Sequence, residues 1–171
     1  MLAGVTGTNG KTTVSTLVRF LLEHESSPVG MIGTVRYELG DRTLPSFKTT
    51  PESADLYAML RSMQAAGCSE AVMEVSSHGI DQNRVNDLNL AVAAFLNLSQ
   101  DHLDYHKSIE EYGNAKSLLF KELKPRHSFI QIDSEFGLNL YEELVEKKTE
   151  VFSVSLEKQS DFSASFSKTD D

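Results

Sequence analysis

Cysteine occurs once in the 171 residues, as Cys68, which excludes an internal disulfide and fits a reducing compartment. No run of about eighteen apolar residues exists to span a bilayer, and no basic-then-apolar leader precedes the first motif, so a cytoplasmic protein off the membrane is expected. Positive charge is scarce as well. The 16 Lys and Arg are outnumbered by 25 Asp and Glu, and the net charge of −9 argues against a nucleic-acid partner, whose binding face would be basic. There is no internal repeat and no low-complexity linker. With 40% apolar and 24% charged residues, the chain has the composition and length of one globular domain with a sizeable core.

What is present is an alternation of strand and helix patterns. Leu2–Thr6 reads as a strand feeding a glycine-rich loop. From Lys11 to about His24, Val14, Leu17, Val18, Leu21 and Leu22 recur at helical spacing, predicting one buried stripe. Residues 29–35 read as a strand, and Gly40-Asp41 as a hairpin turn before Arg42, Thr43 and Leu44. In "TTPES" Thr50 is expected to cap a helix with Pro51 at its first position; Leu56, Met59, Leu60 and Met63 continue it and Gly67 ends it. "EAVMEV" and "LAVAAFLNL" are the short apolar runs of strands buried on both faces. Ser108 and Glu111 have capping-box spacing ahead of another helix. A strand "SFIQI", a helix over residues 136–147 and a strand "EVFSVS" follow, and Phe162, Ala164 and Phe166 alternate as an edge strand would. The pattern predicts an α/β fold with a mostly parallel sheet and right-handed crossovers.

The loop "GVTGTNGKTT" departs from the common G-x-x-x-x-G-K-[ST] pattern, because Val5 stands where the first glycine belongs and glycines recur at Gly4, Gly7 and Gly10. A strand, a glycine turn and a helix N-terminus still present N–H groups and a positive dipole end to an anion. Gly7, Thr8, Asn9, Gly10, Lys11, Thr12 and Thr13 are the candidate nucleotide-binding residues. Lys11 would neutralise phosphate charge, Thr12 would offer its hydroxyl to Mg²⁺, and Gly7 and Gly10 would take positive φ. Glu74 ends an apolar strand, where open α/β sheets bind ligands, and an acid beside a phosphate loop commonly holds Mg²⁺. On its own it would read as an exposed strand end. Asp101, His102, Asp104 and His106 crowd the loop after the next strand, suiting a second cation or proton transfer, although a polar loop with capping aspartates is the plainer reading. Ser76 to Gln82 and Arg84 follow the Glu74 strand, and a guanidinium there suits phosphate or carboxylate. His24 and His127 carry no role, and Lys116 reads as an ordinary solvated helix lysine.

The segments "GVTGTNGKTT", "TTPES", "MEVSSHGIDQNRV", "NLSQDHLDYH" and "YGNAKSLLF", in this order and spacing, resemble the central ATPase domain of the Mur ligases. They look most like the MurE branch, which forms the UDP-N-acetylmuramoyl-tripeptide of peptidoglycan synthesis. "TGTNGKT" alone is shared with folylpolyglutamate synthases and cyanophycin synthetases; "TTPES" with "EVSSH…RV" and "DHLDYH" is the narrower signal. The resemblance implies a P-loop NTPase-like central domain over residues 1–171, acting as a monomer. It also implies ATP-dependent phosphorylation of the D-glutamyl carboxylate of UDP-N-acetylmuramoyl-dipeptide, followed by attack of an amino acid, diaminopimelate or lysine. By resemblance Lys11 and the loop amides hold ATP, Thr12 and Glu74 hold Mg²⁺, and His102 with a carbamylated Lys116 serves a second metal region. Thr49, Thr50, Ser76, Gln82 and Arg84 match positions that contact the muramoyl-peptide.

The N-terminal UDP-gripping domain and the C-terminal amino-acid-binding domain of complete family members are expected to be absent, as is the D-N-P-R segment that reads diaminopimelate. The isolated domain is therefore not expected to complete ligation. A folylpolyglutamate synthase-like ligase, a stand-alone P-loop NTPase and a non-catalytic nucleotide-binding module are the alternatives. A GTPase would need an N-K-x-D segment, which "NLSQDHLD" does not supply.

Overall fold

Side chains that alternate between the two faces of the strands, and period-3.6 burial along the helices, sort the chain into layers. The computed structural model describes residues 1–23 and 27–165. The elements are β1 (Leu2–Thr6), α1 (Lys11–Leu22), β2 (Val29–Ile32), β3 (Arg36–Glu38), β4 (Thr43–Pro45), α2 (Ser53–Ala65), β5 (Glu70–Glu74), α3 (Ser77–Asp81), β6 (Val92–Phe95), α4 (Leu103–His106), α5 (Ile109–Lys121), β7 (His127–Gln131), α6 (Glu135–Glu146), β8 (Val151–Ser155) and β9 (Phe162–Ser163). They form one sheet in the order β4-β3-β2-β5-β1-β6-β7-β8-β9. Among the described residues only β3 runs against the sheet, pairing antiparallel with β2 and with β4; β3 and β4 are joined by the expected hairpin, where Leu39 N–H donates to Arg42 O at 2.8 Å. The other pairings are parallel, so the mostly parallel α/β architecture holds.

The sheet separates two apolar layers. Ala71 and Met73 of β5 join Leu56 and Met63 of α2, Leu119 and Phe120 of α5, and Leu140 and Leu144 of α6 in the larger core. Val72, between them in sequence, faces the other way with Ala3, Val5 and Met31, against Val14 and Val18 of α1. This alternation explains why the central strands read as nearly continuous apolar runs: both faces are covered.

Several local expectations change. The buried stripe of α1 is narrower than its sequence suggests: Leu17 and Leu21 are exposed, together with Phe20, because the helix touches the sheet along its Val14–Val18 side. The helix stops at Leu22, and His24 lies outside the described residues. β2 ends at Ile32 rather than at residue 35, because Gly33 and Thr34 turn over Glu74. Thr50 and Pro51 do not start α2; its N-cap is Glu52, which makes no side-chain cap bond. Half of the capping box forms. Ser108 Oγ accepts from Glu111 N–H at 3.1 Å, while Ser108 N–H bonds to His106 O at 2.7 Å instead of to the Glu111 carboxylate. Of the alternating Phe162, Ala164 and Phe166, Phe162 lies in the short β9, parallel to β8, and Phe166 is outside the described residues. His127 opens β7 and pairs with Glu150 at 3.2 Å, in keeping with a structural role.

Candidate active site

β1 lies between β5 and β6, so the glycine loop after β1 opens between the chain ends of its two neighbours. Val5 is in register with Glu74, and Thr6 with Phe95. Register therefore delivers Glu74 and the segment after β6 to the loop, at the carboxyl edge where open α/β sheets take ligands.

The loop has the backbone its glycines permit: φ is +152° at Gly7 and +84° at Gly10, which is the N-cap of α1. A Cβ at Gly7 would also come within 3.0 Å of Leu96 Cβ, so a side chain is excluded there twice over. With no side-chain cap and no acid in its first turn, α1 leaves its leading N–H groups for an external anion. Thr12 is half-buried in that turn and Thr13 is exposed. The segment after β6 braces the loop. Thr8 Oγ1 donates to Ser99 O (3.2 Å) and accepts from Ser99 N–H (2.9 Å). Asn97 Oδ1 accepts from Asn9 N–H (2.9 Å), and its Nδ2 donates to Asn9 O (3.1 Å).

Two lysines converge on a single carbonyl. Lys11 Nζ donates to Gly7 O at 2.8 Å and to Thr8 O at 2.9 Å; Lys116 Nζ donates to the same Gly7 O at 3.1 Å. Lys116 is not the solvated helix lysine its sequence suggests. It is 1% exposed on the inner side of α5, with its ammonium 4.2 Å from the Tyr112 ring centroid. Burial first, and repulsion from Lys11 second, push its pKa down to about 7, with Asp101 offsetting part of the fall. Burial also holds Lys11 below its ordinary value, against the pull of Glu74 and Asp101.

Glu74 is 1% exposed. Its Oε1 accepts from Thr34 N–H (3.0 Å) and its Oε2 from Thr34 Oγ1 (2.8 Å), and among the described residues it forms no ion pair within salt-bridge distance. A buried carboxylate held only by neutral donors suits a cation. Among the described residues no three His, Cys, Asp or Glu gather into a metal cage. A carboxylate is the hard oxygen donor Mg²⁺ prefers, and Glu74 keeps its charge beside the glycine loop, so the residue fits it.

The remaining candidates form two groups. Thr50, 1% exposed, donates Oγ1–H to Glu74 O (3.1 Å) and accepts from Ser76 N–H (2.9 Å), tying the "TTPES" loop to the end of β5 instead of capping α2. Ser76 Oγ caps α3 by accepting from Gly79 N–H (3.0 Å). Arg84 donates to Thr50 O (3.0 Å) and to Gln82 Oε1, and sits 3.3 Å from Glu52. Thr49 Oγ1 lies 3.0 Å from Thr34 Oγ1. Thr49, Thr50, Ser76, Gln82 and Arg84 are thus one connected wall. His102 belongs to the second group. It is half-exposed at φ +51° and stacks edge-on against His78 and Tyr112. Tyr112 also contacts Lys116, so His102 and Lys116 flank one ring. His106, buried, hydrogen-bonds Ser77 at 2.9 Å. Burial is the main cause holding both His78 and His106 below the ordinary imidazole value. Nothing local in the sequence marks Thr34; His78 lies within the flagged Ser76–Gln82 stretch, Tyr112 within "YGNAKSLLF", and Asn97 and Ser99 within "NLSQDHLDYH".

The wall gives one measurable expectation. Thr50→Val keeps shape but strands a buried carbonyl and a buried N–H, and should lower unfolding free energy by about 3 kcal/mol in denaturant titration. Thr50→Ser should lose much less.

A strand, a glycine loop capped onto a helix, and an acid on the adjacent parallel strand define a P-loop-type α/β domain. The chain belongs to the Mur ligase middle-domain family, whose pattern matches residues 5–171. It is 41% identical over 165 residues to the UDP-N-acetylmuramoyl-L-alanyl-D-glutamate–2,6-diaminopimelate ligase of Clostridium perfringens, covering 95% of this chain and 34% of that protein. It is 53% identical over 122 residues to the ligase of the same name from Listeria monocytogenes serovar 1/2a, covering 71% and 25% respectively. A solved structure of a ligase of this name superposes with a TM-score of 0.76 at 30% identity, over 95% of this chain and 33% of that one. Escherichia coli FolC, solved with ADP and DHPP, shares the fold at 21% identity and a TM-score of 0.57, covering 90% of this chain and 42% of that one. The chain spans about a third of the length of the first of these ligases. No helix among the described residues is long and apolar enough to cross a membrane.

Proposed function

We propose that this domain is the ATP-using part of a ligase that adds diaminopimelate to UDP-N-acetylmuramoyl-L-alanyl-D-glutamate in the cytoplasm, acting with the further domains the reaction needs. The observation that carries the reading is the convergence of Lys11 and Lys116 on Gly7 O, one strand away from the buried Glu74 carboxylate. The Clostridium and Listeria relatives are 2,6-diaminopimelate ligases, which favours diaminopimelate over lysine as the amino acid.

The loop amides and Lys11 would bind the triphosphate. Glu74 and Thr12 would hold Mg²⁺, which when bound would neutralise phosphate charge. Arg84 and the Thr49–Thr50 wall would hold the D-glutamyl carboxylate, one of whose oxygens attacks the γ-phosphorus as the bond to ADP breaks. The amine of diaminopimelate then attacks the acyl carbon, inorganic phosphate leaves, and the amine proton passes to solvent or to an imidazole of the His78–His102–His106 group. A pKa near 7 leaves much of Lys116 as free amine at neutral pH. That amine can add CO₂ and release a proton, turning a buried cation into an anionic oxygen donor beside Lys11.

Saturation-transfer NMR tests the acceptor assignment. With Mg²⁺ and a non-hydrolysable ATP analogue present, UDP-N-acetylmuramoyl-L-alanyl-D-glutamate should receive magnetisation at its glutamyl protons, and Arg84→Ala should remove the effect. Transfer to a pteroate ligand but not to the muramoyl-peptide would favour the folylpolyglutamate synthase-like reading instead.

A further inference from the structure

We propose that Gly33 and Thr34 form a dedicated seat for the Glu74 carboxylate, and that Thr34 connects this carboxylate to the acceptor-side wall through Thr49; the assignment rests on the reading of Glu74 as the Mg²⁺ ligand. One residue holds both carboxylate oxygens: Thr34 N–H donates to Oε1 at 3.0 Å and Thr34 Oγ1 donates to Oε2 at 2.8 Å. A threonine hydroxyl has a single proton. With it given to Glu74, the 3.0 Å contact between Thr34 Oγ1 and Thr49 Oγ1 requires Thr49 to be the donor. The chain of donation therefore runs one way, from Thr49 to Thr34 to Glu74.

Gly33 completes the seat by what it lacks. Its φ is not in the positive range, so backbone freedom does not explain a glycine here. A Cβ at residue 33, however, would stand 2.3 Å from Glu74 Oε1 and 3.2 Å from its Cδ. Residue 33 follows Ile32, which is paired with Met73, so sheet register puts it beside Glu74. Glycine is needed because the carboxylate occupies the space a side chain would fill.

The seat orients without neutralising. An arginine or lysine partner would cancel the carboxylate's charge, whereas an amide and a hydroxyl fix its direction and leave the charge for a cation. The same loop grips Glu74 at both ends, since Thr50 Oγ1 donates to its backbone oxygen while Thr49 reaches its carboxylate through Thr34. Occupation of the acceptor wall and alignment of the metal ligand are thereby mechanically joined, and Thr34 is a positioning residue.

The test is the dissociation constant of ATP for this chain, measured by calorimetry with Mg²⁺ and with excess EDTA, on proteins whose thermal melts show them folded. In Thr34→Val the Mg²⁺-dependent gain in affinity should fall about tenfold, with the EDTA value within about twofold of the parent. Thr34→Ser should restore the gain, because it keeps both donors. Gly33→Ala should reproduce the loss with the Thr34 hydroxyl intact, and Thr49→Val should cause a smaller one of about threefold. A full Mg²⁺ gain in folded Thr34→Val and Gly33→Ala overturns the seat, as does an equal loss with and without Mg²⁺. If the parent binds ATP no better with Mg²⁺ than in EDTA, the seat has no metal ligand to serve and the proposal falls. If it binds no ATP at all, the nucleotide reading falls with it.

Discussion

Alanine at Lys11 is expected to lower affinity for Mg-ATP by about 100-fold, the value of one charge-assisted hydrogen bond to phosphate in a partly desolvated site. The side chain is anchored on Gly7 O and Thr8 O, at the mouth of α1, and would leave those carbonyls for a phosphate. Nothing in the core depends on it: α1 is held by Val14 and Val18, well behind the loop. The melting temperature of Lys11→Ala should therefore stay close to that of the parent while the calorimetric affinity falls by that factor. Undiminished binding in a folded Lys11→Ala would remove the phosphate-loop assignment. The same variant reports on its neighbour. Lys11 is the second cause of the low Lys116 pKa, so removing it should raise the Lys116 pKa and leave less free amine at neutral pH.

Lys116→Met is expected to stabilise the domain at and below neutral pH in bicarbonate-free buffer, and the gain should vanish as pH approaches 10. The sign follows from proton counting. The folded group titrates at about 7 and the unfolded lysine at 10.5. Between those values the unfolded chain binds more protons, so parent stability rises with pH across that window; below it, the full penalty of burying the ammonium applies. A shift of this size corresponds to several kcal/mol at most, about 1.4 for each unit, less whatever relaxation and the Tyr112 contact return. Paired melts of parent and variant across pH isolate the term, because other groups cancel in the difference. Adding ¹³C-bicarbonate should then produce a carbamate carbon resonance in the parent, raise its melting temperature, and do neither in Lys116→Met. A difference between parent and variant that stays flat with pH would show the amine to be ordinary, and the carbamate reading would go with it.

These two lysines also separate what is legible in one dimension from what is not. Lys11 is legible from its neighbours: a strand, glycines at positions needing positive φ, and a helix start all lie within a few residues of it. Glu74 was placed correctly at a sheet edge because an apolar run bounded by polar residues has a recognisable end. Lys116 gave no such signal. Its burial comes from α5 packing beside the glycine loop, 109 residues earlier in the chain, and helical periodicity alone cannot say which face that contact takes. Burial overturns the bare reading of Lys116 as a solvated lysine, and in the sequence only the family resemblance gives it a role.

Thr50 shows the opposite failure. "TTPES" has the composition of a helix start, yet Thr50 Oγ1 finds better-buried partners at the end of β5, and Glu52 takes the cap position without a side-chain bond. Propensity at a cap is worth roughly 1 kcal/mol, less than leaving a buried carbonyl and N–H unpaired. In α1 the repeat of Leu17 and Leu21 was real, but a helix lying on a flat sheet buries only part of an apolar arc that wide.

The sequence by itself determined the alternation of strands and helices, the glycine loop at a helix start and the mostly parallel sheet, because each rests on short-range spacing and periodicity. Only the tertiary structure decided that Gly33 and Thr34 cradle Glu74, that Asn97 and Ser99 brace the loop, and that Lys116 is buried against Lys11. Those contacts join residues far apart in sequence, and strand order and register, which no local pattern encodes, bring them to one edge.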